Sequence, residues 1–163
     1  MTLPGPGPDE QSITLVRVIA APVAEVFRAW IDPALIRQWL VPVFCRIVEA
    51  EVDARPGGRY RIVTRGPFGG RHITTGEYRE IVPNRRLVQS WVFEGSGTAA
   101  DRYPTLLTVD FRELGPGSTE ITLRQDLLLT KRDRSGNLTG WKMCLGKLEK
   151  VLRRAAAEVS RAG

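Results

Sequence analysis

The 163-residue sequence predicts an α+β domain: a seven-stranded, curved antiparallel sheet in β-α-α-β6-α order, wrapped around a long C-terminal helix. Three observations predict it. Six consecutive segments between residues 45 and 129 have strand character and are joined by short turns, which makes an antiparallel meander. One earlier β-branched segment, residues 13–20, is set apart from them by two short helical patterns. A long amphipathic stripe closes the chain.

In residues 13–20, Ile13, Leu15, Arg17 and Ile19 share one face, because strand side chains alternate. Pro22 opens a helix carrying Val23, Val26, Phe27 and Trp30. Asp32 then serves as an N-cap with Pro33 at the first helical position, ahead of Leu35, Ile36 and Trp39. From Cys45 the period becomes two, with Val48, Ala50, Val52 and Ala54 alternating with acidic residues. Arg55-Pro56-Gly57-Gly58 is a turn, and residues 59–64 return. Strands follow over 72–82, 86–93, 105–114 and 119–129, separated at 66–70, at Pro83-Asn84, over 95–104 and at 115–118. Residues 131–136 read as a polar connection with Asn137 as N-cap. Trp141, Leu145, Leu148, Val151, Leu152, Ala155 and Val159 then recur at helical spacing over five to six turns.

The apolar fraction of 42% and charged fraction of 26% suit one globular domain, taken as residues 12–160. Residues 1–11 hold Pro and Gly in alternation and are expected to be a disordered tail. They lack the basic and apolar regions of a secretory signal, and no run of 18 apolar residues exists, so a cytoplasmic location and no membrane insertion are expected. The net charge of +6 comes from arginines spread along the whole chain, without an aromatic-plus-basic stripe, so nucleic acid is not an expected partner. Cys45 and Cys144 lack metal-ligand spacing and are expected to be free thiols. With His72 as the one histidine, a multi-histidine metal site is excluded; no cofactor and no catalytic residue are assigned.

A sheet with one wet face must bury the other, and one long helix is the large element available to cover it. Curvature leaves room between the layers, where an apolar ligand would lodge in a cavity of a few hundred Å³, the usual ligand range. Tyr78, Trp91, Phe111 and Trp141 are the large side chains expected to line that room, each with an ordinary core role as the alternative. Arg17 on the inward face either pairs with a cross-strand carboxylate or anchors an acidic ligand group. His72, after a glycine-rich loop, reads as a surface residue, since nothing in the sequence orients it as a base.

The motifs Arg17-Val18-Ile19-Ala20-Ala21-Pro22, Val26-Phe27-Arg28-Ala29-Trp30 with Asp32-Pro33 and Trp39, Asp53-Ala54-Arg55-Pro56-Gly57-Gly58, Gly76-Glu77-Tyr78 and Gly140-Trp141 occur in this order. So arranged, the chain resembles the bacterial stand-alone branch of the Hsp90-ATPase-activator-homologue family, within the START-like (Bet v 1-like, helix-grip) superfamily, over residues 13–152. The resemblance implies a helix-grip fold and a small hydrophobic ligand, lipid-like, aromatic or polyketide-like, held between sheet and C-terminal helix. Two alternatives stay open under it. One is an interaction protein that assists a chaperone or pairs with a second copy of itself. The other is a cyclase or dehydratase using the cavity.

Overall fold

The computed structural model describes residues 8–41, 44–94 and 103–162. Seven strands form one sheet: β1 (Ile13–Ile19), β2 (Arg46–Val52), β3 (Arg59–Arg65), β4 (Arg71–Val82), β5 (Arg86–Glu94), β6 (Thr105–Gly115) and β7 (Ser118–Asp126). Their spatial order is β1-β7-β6-β5-β4-β3-β2, antiparallel at every step. The meander leaves β1 to pair with β7, so β1 and β2 are the two edges. Helices α1 (Val23–Ile31) and α2 (Pro33–Trp39) follow β1, and α3 (Lys131–Ala162) ends the chain. The expected α+β helix-grip arrangement is thus the observed one.

Local chemistry sets the boundaries. The Asp32 carboxylate accepts from the Ala34 amide at 2.9 Å, capping α2 with Pro33 behind it. Gly57 takes a φ of +82°, and Arg55 Nε donates to Asp53 at 2.8 Å, which closes the β2–β3 turn. Register breaks in β2, β4 and β6 mark bulges, which bend strands and add twist.

Four expectations are corrected. Pro8–Gln11, placed in the disordered tail, form a 3-10 turn, and the Leu128 amide donates to the Gln11 carbonyl at 2.8 Å. In β2 the bulge gives the buried position opposite Thr64 to Ile47 rather than Val48. β7 stops at Asp126 because Leu127 takes a φ of +67°, outside the strand region. The last helix starts at Lys131 rather than after Asn137, since the Thr130 hydroxyl accepts from the Asp133 amide at 3.0 Å and caps it.

The inner face is set by alternation. Ile19, Leu87, Val109, Phe111, Ile121 and Leu123 are buried there beneath Val26, Phe27 and Trp30 of α1 and Leu145, Leu148 and Leu152 of α3. A second buried group, Ile36, Val41, Ile47, Tyr60, Ile62 and Tyr78, lies under α2. Leu40, Ile81 and Trp91 pack against both groups and form the seam between them. Helix packing concentrates on β1, β2, β6 and β7, so the inner face of β3–β5 is covered mainly by side chains. No helix among the described residues is long and apolar enough to cross a membrane.

Candidate functional site

A column of aromatic rings runs through the layer between helices and sheet. Phe27 meets Phe111 edge-on at 5.4 Å, and Trp30 meets Trp39 at 4.7 Å and Phe111 at 6.3 Å. Trp30 stacks on Trp141 at 5.9 Å, Trp141 reaches Trp91 at 5.1 Å, and Trp91 reaches Tyr60 at 6.1 Å. Tyr60 ends the column against Tyr78 at 5.4 Å. Offset and edge-on contacts of this kind are favourable beyond the area they bury.

Buried polar groups hold the column in place. Trp141 Nε1 donates to Gln125 Oε1 at 2.9 Å, Gln125 Nε2 donates to the Thr105 hydroxyl at 2.9 Å, and that hydroxyl donates to the Trp91 carbonyl at 2.8 Å. Trp39 Nε1 donates to the Ala29 carbonyl at 2.9 Å. The Tyr60 hydroxyl donates to the Ser90 carbonyl at 2.5 Å, passing over Gly76, where a Cβ would collide with that oxygen and the Tyr60 ring. Burial raises the Tyr60 and Tyr78 phenols above their ordinary value, so both stay protonated.

Among the described residues, three buried polar atoms have no hydrogen-bond partner: Gln89 Oε1, His72 Nδ1 and Trp30 Nε1. Such orphans are rare in native interiors. Trp30 belongs to the ring column, Gln89 borders it, and His72 lies farther along the same face. Gln89 lies opposite Tyr78 and Leu107 on the inner face, two residues before Trp91. His72 stacks on Phe93 at 5.5 Å on the same face, and Trp30 stacks on Trp141. Thr74, also buried, lies opposite Phe93. The inner face of β4 and β5 therefore carries the half-buried Trp91 and His72 and the exposed Phe93, with Gln89 and Thr74 among them, toward the end where residues 95–102 follow β5 outside the described residues.

Of the five residues named from sequence, four fall in the column. Trp91 and Trp141 touch, Tyr78 joins through Tyr60, and Phe111 joins through Trp30. Trp91 is half-buried, whereas Tyr78, Phe111 and Trp141 are buried. Arg17 stands apart. Its Nε and Nη2 donate to the Glu149 carboxylate of α3 at 3.2 and 2.9 Å, so its partner comes from the helix and not from a neighbouring strand. That pair holds the Arg17 guanidinium above and the Glu149 carboxyl below their ordinary values, mainly through the hydrogen bonds.

Two further expectations change. His72 is not a surface residue, since its ring is half-buried against Phe93 with Nδ1 out of solvent. The hollow expected between α3 and the sheet is occupied by rings along the column. Among the described residues, recesses with no α3 residue in their walls occur at two places. One of about 700 Å³ lies over β2–β5, bounded by Glu51, Asp53, Arg59, Arg61, Glu77 and Ser90 among others. One of about 370 Å³ is bounded by Phe44, Cys45, Arg46, Arg65, Gly66 and Pro67.

Sequence reasoning missed Gln89, Thr105, Gln125 and Thr74. For Gln89, Thr105 and Gln125 the signal was polarity at inward parity, each two residues from a buried leucine on the same strand face; Thr74, between His72 and Gly76, carried no such signal. Among the described residues no cluster of three His, Cys, Asp or Glu groups suits a metal ion. Cys144 is buried, which pushes its thiol up to about 11, and Cys45 is half-buried; both are free.

Comparison with known proteins follows the same lines. A protein from Chromobacterium violaceum of known structure is 27% identical, with a TM-score of 0.78 over 87% of this chain and 96% of its own. One from Rhizobium leguminosarum is 31% identical, with a TM-score of 0.75 over 88% of this chain and 94% of its own. The AHSA1 protein from Silicibacter pomeroyi shares the fold, with a TM-score of 0.77 over 88% of this chain and 99% of its own, at 19% identity. No curated protein matches the sequence. Residues 20–153 match the family described as Activator of Hsp90 ATPase homolog 1-like protein, which takes in α1 through most of α3, and the chain belongs to that family.

Proposed function

We propose that the chain binds a small, mainly aromatic or lipid-like molecule against the inner face of β4 and β5, at the Trp91–Trp141 contact, without transforming it. The observation that carries this reading is the unpartnered acceptor Gln89 Oε1, two residues before the half-buried Trp91 on the same strand face. A buried polar atom left unpaired costs about 1–3 kcal/mol, and a ligand donor to Gln89 would recover that cost. Trp91 sits on the seam between the two apolar groups, so its ring is the one that can swing and let a ligand stack in its place on Trp141 or Tyr60. A mostly apolar site with a few placed polar groups is the ordinary form of a small-molecule pocket.

Native mass spectrometry of the purified protein tests the reading, with thermal shifts across free fatty acids and polycyclic phenols. Adducts lost on denaturation, and a ligand that raises Tm and changes tryptophan emission, are expected. Bare protein with no shift across that library sinks the reading. Replacing Trp91 with Ala should abolish the shift; an unchanged shift removes Trp91 from the site.

The filled ring column favours a second reading, an interaction protein acting through its surface, in line with the family's description as a homologue of an Hsp90 ATPase activator. Addition of the chain to a purified Hsp90 separates the two. A several-fold rise in ATP turnover supports the second reading, and unchanged turnover removes it.

A further inference from the structure

At one end of the sheet three arginines stand directly opposite one another on adjacent strands. Arg46 of β2 pairs with Arg65 of β3, and Arg65 pairs with Arg71 of β4. All three are exposed, and their neighbours Ile47, Thr64 and His72 turn to the inner face, so the arginines share the outer one. Strands lie about 4.8 Å apart, which sets the row within about 10 Å. Like charges directly opposite destabilise a sheet. Among the described residues none of the three has a carboxylate within ion-pair distance, although Arg61, four residues from Arg65 along β3 on the same face, is matched by Glu49. A row of like charges set directly opposite one another without a carboxylate of its own points to an anionic partner.

Two phenyl rings flank the row. Phe44, just before β2, is 80% exposed, and Phe68, in the β3–β4 loop, is 99% exposed. The loop is a fixed reversal: the Gly66 amide donates to the Gly70 carbonyl at 2.8 Å, the Gly69 amide donates to the Gly66 carbonyl at 3.1 Å, and Gly69 takes a φ of +79°. The protein thus holds Phe68 out in water at the tip of an ordered turn. A recess beside the row is walled by Phe44, Arg46, Arg65 and Pro67.

We propose that this tip is a docking surface for an anionic phospholipid bilayer, with Phe68 and Phe44 entering the interface and Arg46, Arg65 and Arg71 meeting lipid phosphates. The charge row matches a plane of headgroup anions, and guanidinium is the cation best shaped for phosphate. Aromatic rings favour the membrane–water boundary. A single-stranded nucleic acid would need a longer basic track with rings lying flat for stacking, whereas these rings project from loop ends. Docking here is peripheral and involves no spanning segment.

Co-sedimentation of the full chain with vesicles tests the proposal. Vesicles of phosphatidylcholine with about one-third phosphatidylglycerol should bind the protein at low salt, and pure phosphatidylcholine vesicles should not. Binding should fall steeply as salt screens the charges. The triple change Arg46→Gln, Arg65→Gln and Arg71→Gln should weaken binding on the order of a hundredfold, at roughly tenfold or less per cation. The control removes equal charge elsewhere, with Lys150→Gln, Arg154→Gln and Arg161→Gln on the exposed side of α3, and should change binding less than about threefold. Phe44→Ser with Phe68→Ser should cost about tenfold through lost apolar burial. All of these residues are exposed, so each variant should keep its Tm, checked by circular dichroism. Absent binding to the anionic vesicles overturns the proposal. So does equal weakening by both triple variants, which would reduce it to net charge. Tighter binding to an acidic peptide or an oligonucleotide that the vesicles fail to displace also overturns it, and assigns the tip to that partner.

Discussion

The Arg17–Glu149 pair fastens the last helix to an edge strand, and its worth follows from its exposure. The side chains are 34% and 26% exposed, so solvent screens much of the attraction. A double-mutant cycle with Arg17→Ala and Glu149→Ala should give a coupling of about 1 kcal/mol, the upper range for pairs open to water. The carboxyl of Glu149 is held below its ordinary value in the folded state. A depressed carboxylate contributes stability that is present above the unfolded value, about 4.3, and is lost as pH falls through the lower folded value. Unfolding by urea should therefore show wild type losing its advantage over Glu149→Gln below about pH 4, and parallel curves down to pH 2 would contradict this. At Gly76 the constraint is steric. Gly76→Ala puts a methyl into the Ser90 carbonyl and the Tyr60 ring, both buried in the sheet, and should cost about 3 kcal/mol or more. A stable Ala variant with wild-type Tm would mean that the Tyr60–Ser90 hydrogen bond is dispensable.

Among the elements, the strands were legible in sequence because period two and turn chemistry are local. Val109, Phe111, Ile121 and Leu123 announce a buried face by alternation alone. The bulge at Ile47 was not legible, since the alternation of Val48, Ala50 and Val52 with acidic residues runs unbroken in sequence, and only pairing with β3 breaks it between Ile47 and Glu49. The start of α3 was hidden for a related reason. Residues 131–136 are polar and include Gly136, yet the helix begins there because Thr130 caps it and the Tyr103 hydroxyl bonds the Asp133 carboxylate. The Tyr103 contact is tertiary, whereas the Thr130 cap is local and lies three residues from its partner. The other end errs in the opposite direction: the apolar stripe suggests burial to Val159, but burial stops at Leu152 and Val159 is 74% exposed. Thr130→Ala should cost about 1 kcal/mol through loss of the cap. Deletion of residues 157–163, which bury nothing among the described positions, should leave Tm within about 2 °C. A larger drop would show that the end of α3 packs on something.

At the scale of the whole molecule, two apolar groups share one sheet and meet at Leu40, Ile81 and Trp91. The sequence reading located Trp91 and Trp141 in this layer, because large rings on inward strand positions and early in the last helix must face one another. It did not find the polar atoms between them, because an inward glutamine reads as an outward one until register is known. Gln89 is 4% exposed with its amide oxygen unpartnered, a local cost that the fold tolerates. Sites that keep such costs trade stability for function. If the oxygen serves a ligand, removing it should separate the two properties. Gln89→Leu keeps the side-chain volume and deletes the orphan, so stability should rise by about 1 kcal/mol, or about 3 °C in Tm for a domain of this size. The same change should weaken a ligand that donates to Gln89 by about tenfold, the free-energy equivalent of one lost hydrogen bond. Thermal melts with and without that ligand read both effects in one experiment. A variant that is less stable than wild type would show that the Gln89 amide is held by its hydrogen bond to the Tyr60 hydroxyl, which opposes the rise that burial gives that phenol, rather than kept for a ligand. The polar ground for placing a ligand beside Trp91 would then be gone, leaving only the rings.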